Sequence, residues 1–156
     1  MDSVALLARV RNAFPAEPLP EMTLRQAQLT DQGLAREITD EEWKKEGDKD
    51  RGVLWYDITL DTLLECDAAL SHLDEDAFAY YLPAFLSFAL REGCPENHRE
   101  DQIFGSTVFA LTHLSNYNLS RLKRLNDEQI DVVTDFVRWI RQAGGFHKPH
   151  ADEALR

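Results

Sequence analysis

Phe78-Ala79-Tyr80-Tyr81-Leu82-Pro83-Ala84-Phe85-Leu86-Ser87-Phe88-Ala89-Leu90 is the stretch that decides the fold. Apart from Pro83 and Ser87, every residue in it is apolar or aromatic. A helix built from it has no polar face and must be buried on all sides. Its start is marked by Asp74, a good N-cap, with Leu73 and Phe78 at the two positions of a hydrophobic staple. Glu75 and Asp76 fall in the first turn, where the positive end of the helix dipole favours them. Pro83 removes one backbone donor and crowds the carbonyl of Ala79, which predicts a kink. Gly93 and Pro95 supply the stop. The run is too short, and too closely flanked by acid, to span a membrane. The expectation is therefore an all-α, single-domain helical bundle around a kinked, fully buried central helix.

Upstream of that helix, Leu54 to Leu70 carries the second strong helical pattern, with Leu54, Trp55, Ile58, Leu63, Cys66 and Leu70 on one face. Asp57, Asp61 and Glu65, four apart, would line up on another. Val4, Leu7, Val10 and Phe14 predict a first helix over residues 3–14, capped by Ser3 and ended by Pro15, Pro18 and Pro20. Met22, Leu29 and Leu34 predict a weaker helix from Glu21 to about Leu34. Thr39 with Glu42 three residues later is a capping box opening a short exposed helix around Trp43, and Gly47 to Gly52 reads as a flexible turn.

Downstream, Gly93 to Asp101 reads as a polar loop. Gly105 and β-branched residues weaken a helical reading of Ile103 to Leu114, and Tyr117 to Leu125 is mixed. The last helix is well specified, with Asn126 as N-cap, Gln129 at the return position, and Leu125 with Ile130 as a second staple. Ile130, Val133, Val137 and Ile140 trace its buried face, and Gly144-Gly145 ends it. The domain is expected over residues 1–145, with residues 146–156 a frayed tail. No strand pattern with hairpin turns occurs.

The run Phe78-x-Tyr80-Tyr81-Leu82-Pro83-Ala84-Phe85 resembles the signature of a family of small bacterial helical proteins of unknown function. The resemblance takes in Trp55 and Ile58, Phe14 with the prolines after it, and Asp127-Glu128-Gln129 before an apolar helix. It implies a single helical domain and lends no catalytic residue.

At 156 residues the chain is long enough for a core without metal or disulfide support. Its 28 acidic and 17 basic residues give a net charge of −11. Such a surface repels phosphate backbones and anionic lipid, so neither nucleic acid nor membrane is an expected partner. A basic protein is. Cys66 and Cys94 lie in apolar segments without a C-x-x-C pair and read as reduced core residues of a cytoplasmic protein, although sequence alone leaves a bridge between them open. No signal peptide is expected from the first residues.

No catalytic constellation, cofactor motif or metal site emerges. The ladder Asp57, Asp61, Glu65 spreads its oxygens along a line, whereas a hard cation needs them to converge. His147 and His150 are three apart but lack further zinc ligands. Cys66 and His72, six apart on one helix, would point to different faces. Arg121, Lys123 and Arg124 form the single basic cluster and are expected to pair with the acidic face.

Two functions are expected. The first is a non-enzymatic binding protein, in its most concrete form an immunity or antitoxin-like protein that masks a basic partner. Glu41, Glu42, Trp43 and Glu46 would be the contact surface, because an aromatic ringed by charge is a common interface anchor. The second is a small-ligand-binding or enzymatic domain with a cavity at the Tyr80–Pro83 kink, using Tyr80, Tyr81 and His72. Self-association is compatible with either.

Overall fold

The computed structural model describes residues 1–93, 98–143 and 147–156. Among these residues the chain forms nine α-helices and no strand: α1 (Ser3–Ala13), α2 (Leu24–Gln32), α3 (Asp40–Asp50), α4 (Leu60–Glu65), α5 (Glu75–Glu92), α6 (His98–Thr112), α7 (Asn116–Leu122), α8 (Asp127–Ala143) and α9 (Lys148–Ala154). Short 3-10 turns at Trp55–Asp57 and Ala69–Ser71 stand either side of α4. No described helix is long and apolar enough to cross a membrane.

Helix α5 is the axis of the bundle. Asp74 caps it by accepting from the Ala77 N–H at 2.8 Å, and both staple residues, Leu73 and Phe78, are fully buried. From Tyr80 to Leu90 every residue is buried, as expected of a helix without a polar face. The helix continues through Pro83 and stops at Gly93, whose φ of 67° suits a residue without Cβ. Helices α1, α6 and α7 and the turn at Trp55–Asp57 pack around it, while α8 lies on α1 and α9 on α8 and α6.

The capping box of α8 forms as expected. The Gln129 N–H donates to Asn126 Oδ1 at 2.9 Å, and Gln129 Oε1 accepts from the Asn126 N–H at 3.0 Å. The same Gln129 amide donates to the Ala13 carbonyl at 3.2 Å, so one side chain starts α8 and ties down the end of α1.

Several expectations are corrected. Leu54 to Leu70 is not one helix. Ile58 is extended, and Thr59, also extended, starts a new helix by accepting from the Thr62 N–H. The threonine offers the backbone a cap in place of helix continuation. Asp57 therefore lies outside the helix that carries Asp61 and Glu65, and Cys66 and His72 share no helix. Residues 47–50, expected in a turn, complete α3. The first helix is capped by Asp2 rather than Ser3 and buries Leu6, Val10 and Ala13, leaving Val4 77% exposed. On α8, Ile130 is exposed and Val132 and Phe136 take its place in the core.

The stretches read as loop or mixed are helices α6 and α7, held by tertiary burial of Ile103, Phe104, Val108 and Leu111 that overrides Gly105. The tail at 147–156 does not fray: α9 forms there, Ala151 is fully buried, and Arg141 of α8 pairs with Asp152. The expected stop at Gly144-Gly145 lies outside the described residues, as does Cys94.

Arg121 is the largest correction. It is not part of a surface patch but is 2% exposed. Its guanidinium donates to the Leu70 carbonyl at 2.6 Å and to Asn118 Oδ1 at 2.7 Å, and lies over the rings of Phe78 and Tyr117 at 4.4 and 4.3 Å. Among the described residues no carboxylate is paired with it, and its Nε–H has no partner. Burial pushes its pKa down, partly countered by Tyr117. Because Tyr117 also donates to the Ser71 carbonyl at 2.8 Å, α7 clamps the turn that leads into α5.

Candidate functional site

The expected contact surface lies on α3. Its start is fixed locally: Thr39 Oγ1 accepts from the Glu42 N–H at 3.1 Å, and Glu42 Oε2 accepts from the Thr39 N–H at 2.9 Å. Asp40, Glu41 and Glu42 then fall where the helix dipole favours acid. The helix is attached to α2 by polar contacts. Gln26 donates to the Trp43 carbonyl at 3.0 Å and packs against Gly47, where any Cβ would overlap its amide. At the other end, Asp50 accepts from the Arg25 N–H at 2.7 Å and thereby serves the start of α2. Burial pushes the Asp50 carboxyl up, countered by the Arg25 amide and the Thr23 hydroxyl.

The four named residues of this surface divide between two environments. Glu42 and Glu46 border a cleft of about 340 Å³ between α2 and α3, together with Arg25, Arg36 and Lys45. Glu42 is held below the usual carboxylate range by the Thr39 backbone and then by Arg36, which it meets at 2.9 Å. Glu46 pairs with Lys49. Glu41 is exposed and, with Asp40, in no ion pair among the described residues, and Trp43 is 36% exposed. Much of the acid on α3 is thus matched by cations of its own chain. Arg36 was invisible to sequence reasoning because its place beside Glu42 depends on how the end of α2 packs on α3.

Tyr80, Tyr81 and His72 are engaged by three different partners. Tyr80 Oη accepts from the Trp55 N–H at 3.2 Å, the Tyr81 hydroxyl is hydrogen-bonded to the backbone at Leu24, and His72 Nε2 lies 3.0 Å from Asp31 Oδ1. The two tyrosine rings meet edge to face at 4.9 Å, and burial pushes both phenols up. A cleft of about 390 Å³ is bordered by Ala79 and Tyr80 and walled by Pro15, Pro18 and Arg124, but none of Pro83, Tyr81 and His72 lines it.

The remaining candidates are dispersed. Glu65 is taken by Arg25 at 2.8 Å, and Arg124 by Asp76 at 2.6 Å. Cys66 is buried and its thiol is pushed up to about 12, chiefly by desolvation, so it is no thiolate at neutral pH. His113, His147 and His150 border a cleft of about 680 Å³ between α6 and α9, where burial pushes His147 down. Among the described residues no three His, Cys, Asp or Glu side chains converge closely enough to hold a metal.

The geometry defines an all-α bundle with one polar, mixed-charge flank on α2 and α3. The profile of a family of unknown function, DUF6714, matches residues 2–150, and the chain belongs to that family. Comparison with curated proteins and with solved structures finds no match.

Proposed function

We propose that the chain is a binding protein that engages a basic protein partner through α3, and that it masks this partner as an immunity or antitoxin protein masks its effector. The observation that supports the reading is an exposed Trp43 near Asp40 and Glu41, which are in no ion pair among the described residues, in a chain of charge −11. The ion pairs already on α3 do not oppose it. Exposed pairs are weak, and a partner's arginines can replace the chain's own. The test is capture of partners from the native host at low and high salt, with Glu41→Gln, Glu42→Gln and Glu46→Gln combined. Glutamine at 42 preserves the capping box while removing the charge. The expected result is one stoichiometric basic protein, lost on charge removal or at high salt. A partner retained by the triple variant places the interface elsewhere.

The cleft bordered by Ala79 and Tyr80 favours a second reading, in which a small ligand binds against Tyr80, one turn before Pro83. A ligand seated there raises the melting temperature in proportion to its saturation. No response across a metabolite and metal panel counts against it.

A further inference from the structure

We infer that the groove between α1, the Trp55–Asp57 turn and α5 is a recognition site for a carboxylate carried on an apolar body. Arg11, Ser87 and Arg91 would hold the anion. The site is separate from α3 and does not depend on the function proposed for that helix.

The groove is bordered by Leu7, Arg11, Trp55, Tyr56, Ser87 and Arg91, and no carboxylate among the described residues lines it. That is unusual for a chain with 28 acidic residues. On α1, Arg9 is committed to Asp135 of α8. Arg11, two residues on, leaves the helix about 200° further round and turns to the aromatic pair. Its guanidinium carbon lies 3.2 Å from the Tyr56 ring centre and 5.6 Å from that of Trp55. Stacking covers a face of the guanidinium and leaves its in-plane N–H groups for a planar oxyanion, the geometry in which arginine binds carboxylate through two parallel hydrogen bonds. Neither Arg11 nor Arg91 has an ion pair or hydrogen bond among the described residues.

Ser87 is the second, independent observation. It carries the one hydroxyl within the apolar core of α5 besides those of Tyr80 and Tyr81 and is 5% exposed, yet its side chain has no hydrogen-bond partner among the described residues. Its oxygen is not sealed into the core but keeps solvent contact, so a group entering the groove can bond to it. Ser87 borders the groove, between Arg91 and the aromatic pair. It also borders a narrower slot that runs on from the groove past Ile58, Leu63, Ala84 and Phe88. Arg11 borders the groove alone, whereas Ser87, Arg91 and the aromatic pair border both, so donors and apolar wall are continuous. Glu92 is the one acid among the described residues of the slot.

A free aliphatic acid and the C-terminus of a peptide ending in an apolar residue present the same chemistry. Titration calorimetry with octanoate, with octylamine and 1-octanol as controls, tests the first source. A short peptide ending in leucine, as free acid and as amide, tests the second. The expected result is saturable binding of octanoate or of the free-acid peptide, at least tenfold tighter than its uncharged counterpart. The tighter of the two identifies the source. Arg11→Gln and Arg91→Gln should each weaken binding about tenfold, and Ser87→Ala several-fold, without lowering the melting temperature. Both arginines are exposed, so folding does not confound the result. Equal binding of octanoate and octylamine, affinity unchanged in both arginine variants, or no saturable binding of either acid at about 10 mM, weak even for so small a ligand, overturns the inference.

Discussion

Replacing Arg121 tests the account of the bundle most severely. Its guanidinium satisfies two buried acceptors, the Leu70 carbonyl and Asn118 Oδ1, and bridges the rings of Phe78 and Tyr117. Arg121→Met keeps most of the volume but leaves both acceptors without this donor, at about 1–3 kcal/mol each. Loss of the ring contacts adds about 1–2 kcal/mol. Against this stands relief of desolvation, several kcal/mol for a buried ion without an opposite charge. The net expectation is a loss of about 2–3 kcal/mol, because hydrogen bonds to the η-nitrogens compensate part of that desolvation in the native protein. Urea unfolding with a slope of about 1.5–2 kcal/mol/M would show the midpoint falling by about 1–2 M. The coupling to Asn118 supplies the control. Asn118→Leu removes the stranded acceptor in the Arg121→Met background, but in either background it also loses the Asn118 Nδ2 bond to the His113 carbonyl, so it should cost about 1 kcal/mol less there than in the wild type. If Arg121→Met is as stable as the wild type, the clamp contributes nothing net and the reasoning fails.

Other outcomes follow from particular contacts. Gly47→Ala forces the Gln26 amide aside and should cost about 1–2 kcal/mol by thermal unfolding, although helix propensity alone would gain about 1 kcal/mol. Asp135 is held below its ordinary value first by the hydrogen bond from Arg9 and then by Arg138. Its contribution is therefore complete above about pH 4 and fades as the pH falls below that value through its folded pKa. Asp135→Asn should lower stability by about 0.5–1 kcal/mol at pH 7 and by progressively less as the pH falls through the lowered folded pKa, as read from paired denaturant curves. Tyr80→Phe strands the buried Trp55 N–H and should cost about 1–2 kcal/mol. Peptide mapping after iodoacetamide treatment of the folded protein at pH 8 should find Cys66 unmodified, and rapid labelling there would contradict its burial.

What the sequence made legible was whatever local chemistry alone determines. The Asp74 cap, the Leu73–Phe78 staple and the unbroken apolar run fix α5 without reference to any other element. The capping boxes at Thr39 and Asn126 likewise act within four residues. What stayed hidden depends mostly on distant partners. Leu54 to Leu70 has helical spacing throughout, yet Thr59 turns its hydroxyl to the Thr62 N–H and starts a new helix, which itself ends at Glu65 before the Ala69–Ser71 turn. Arg121 looks like its neighbours Lys123 and Arg124 until α7 is laid across the Ala69–Ser71 turn, where two carbonyl groups and two rings receive it. The expected acidic surface was visible as composition, but its partial neutralisation by Arg36 was not, because that arginine lies beyond the end of α2.

The attachment of α3 carries a consequence for the order in which the molecule comes apart. Only Gly47 and Asp50 of this helix are buried, and its contacts with α2 run through Gln26, Asp50 and the Trp43 carbonyl rather than through an apolar seam. Little hydrophobic area is exposed when it lifts away, so its opening should be nearly insensitive to denaturant while α5 opens only with the whole bundle. Amide hydrogens of α3 should then exchange through small fluctuations far below the global unfolding free energy. A tight partner held there would protect those amides by orders of magnitude and leave the slow exchange of α5 almost unaltered.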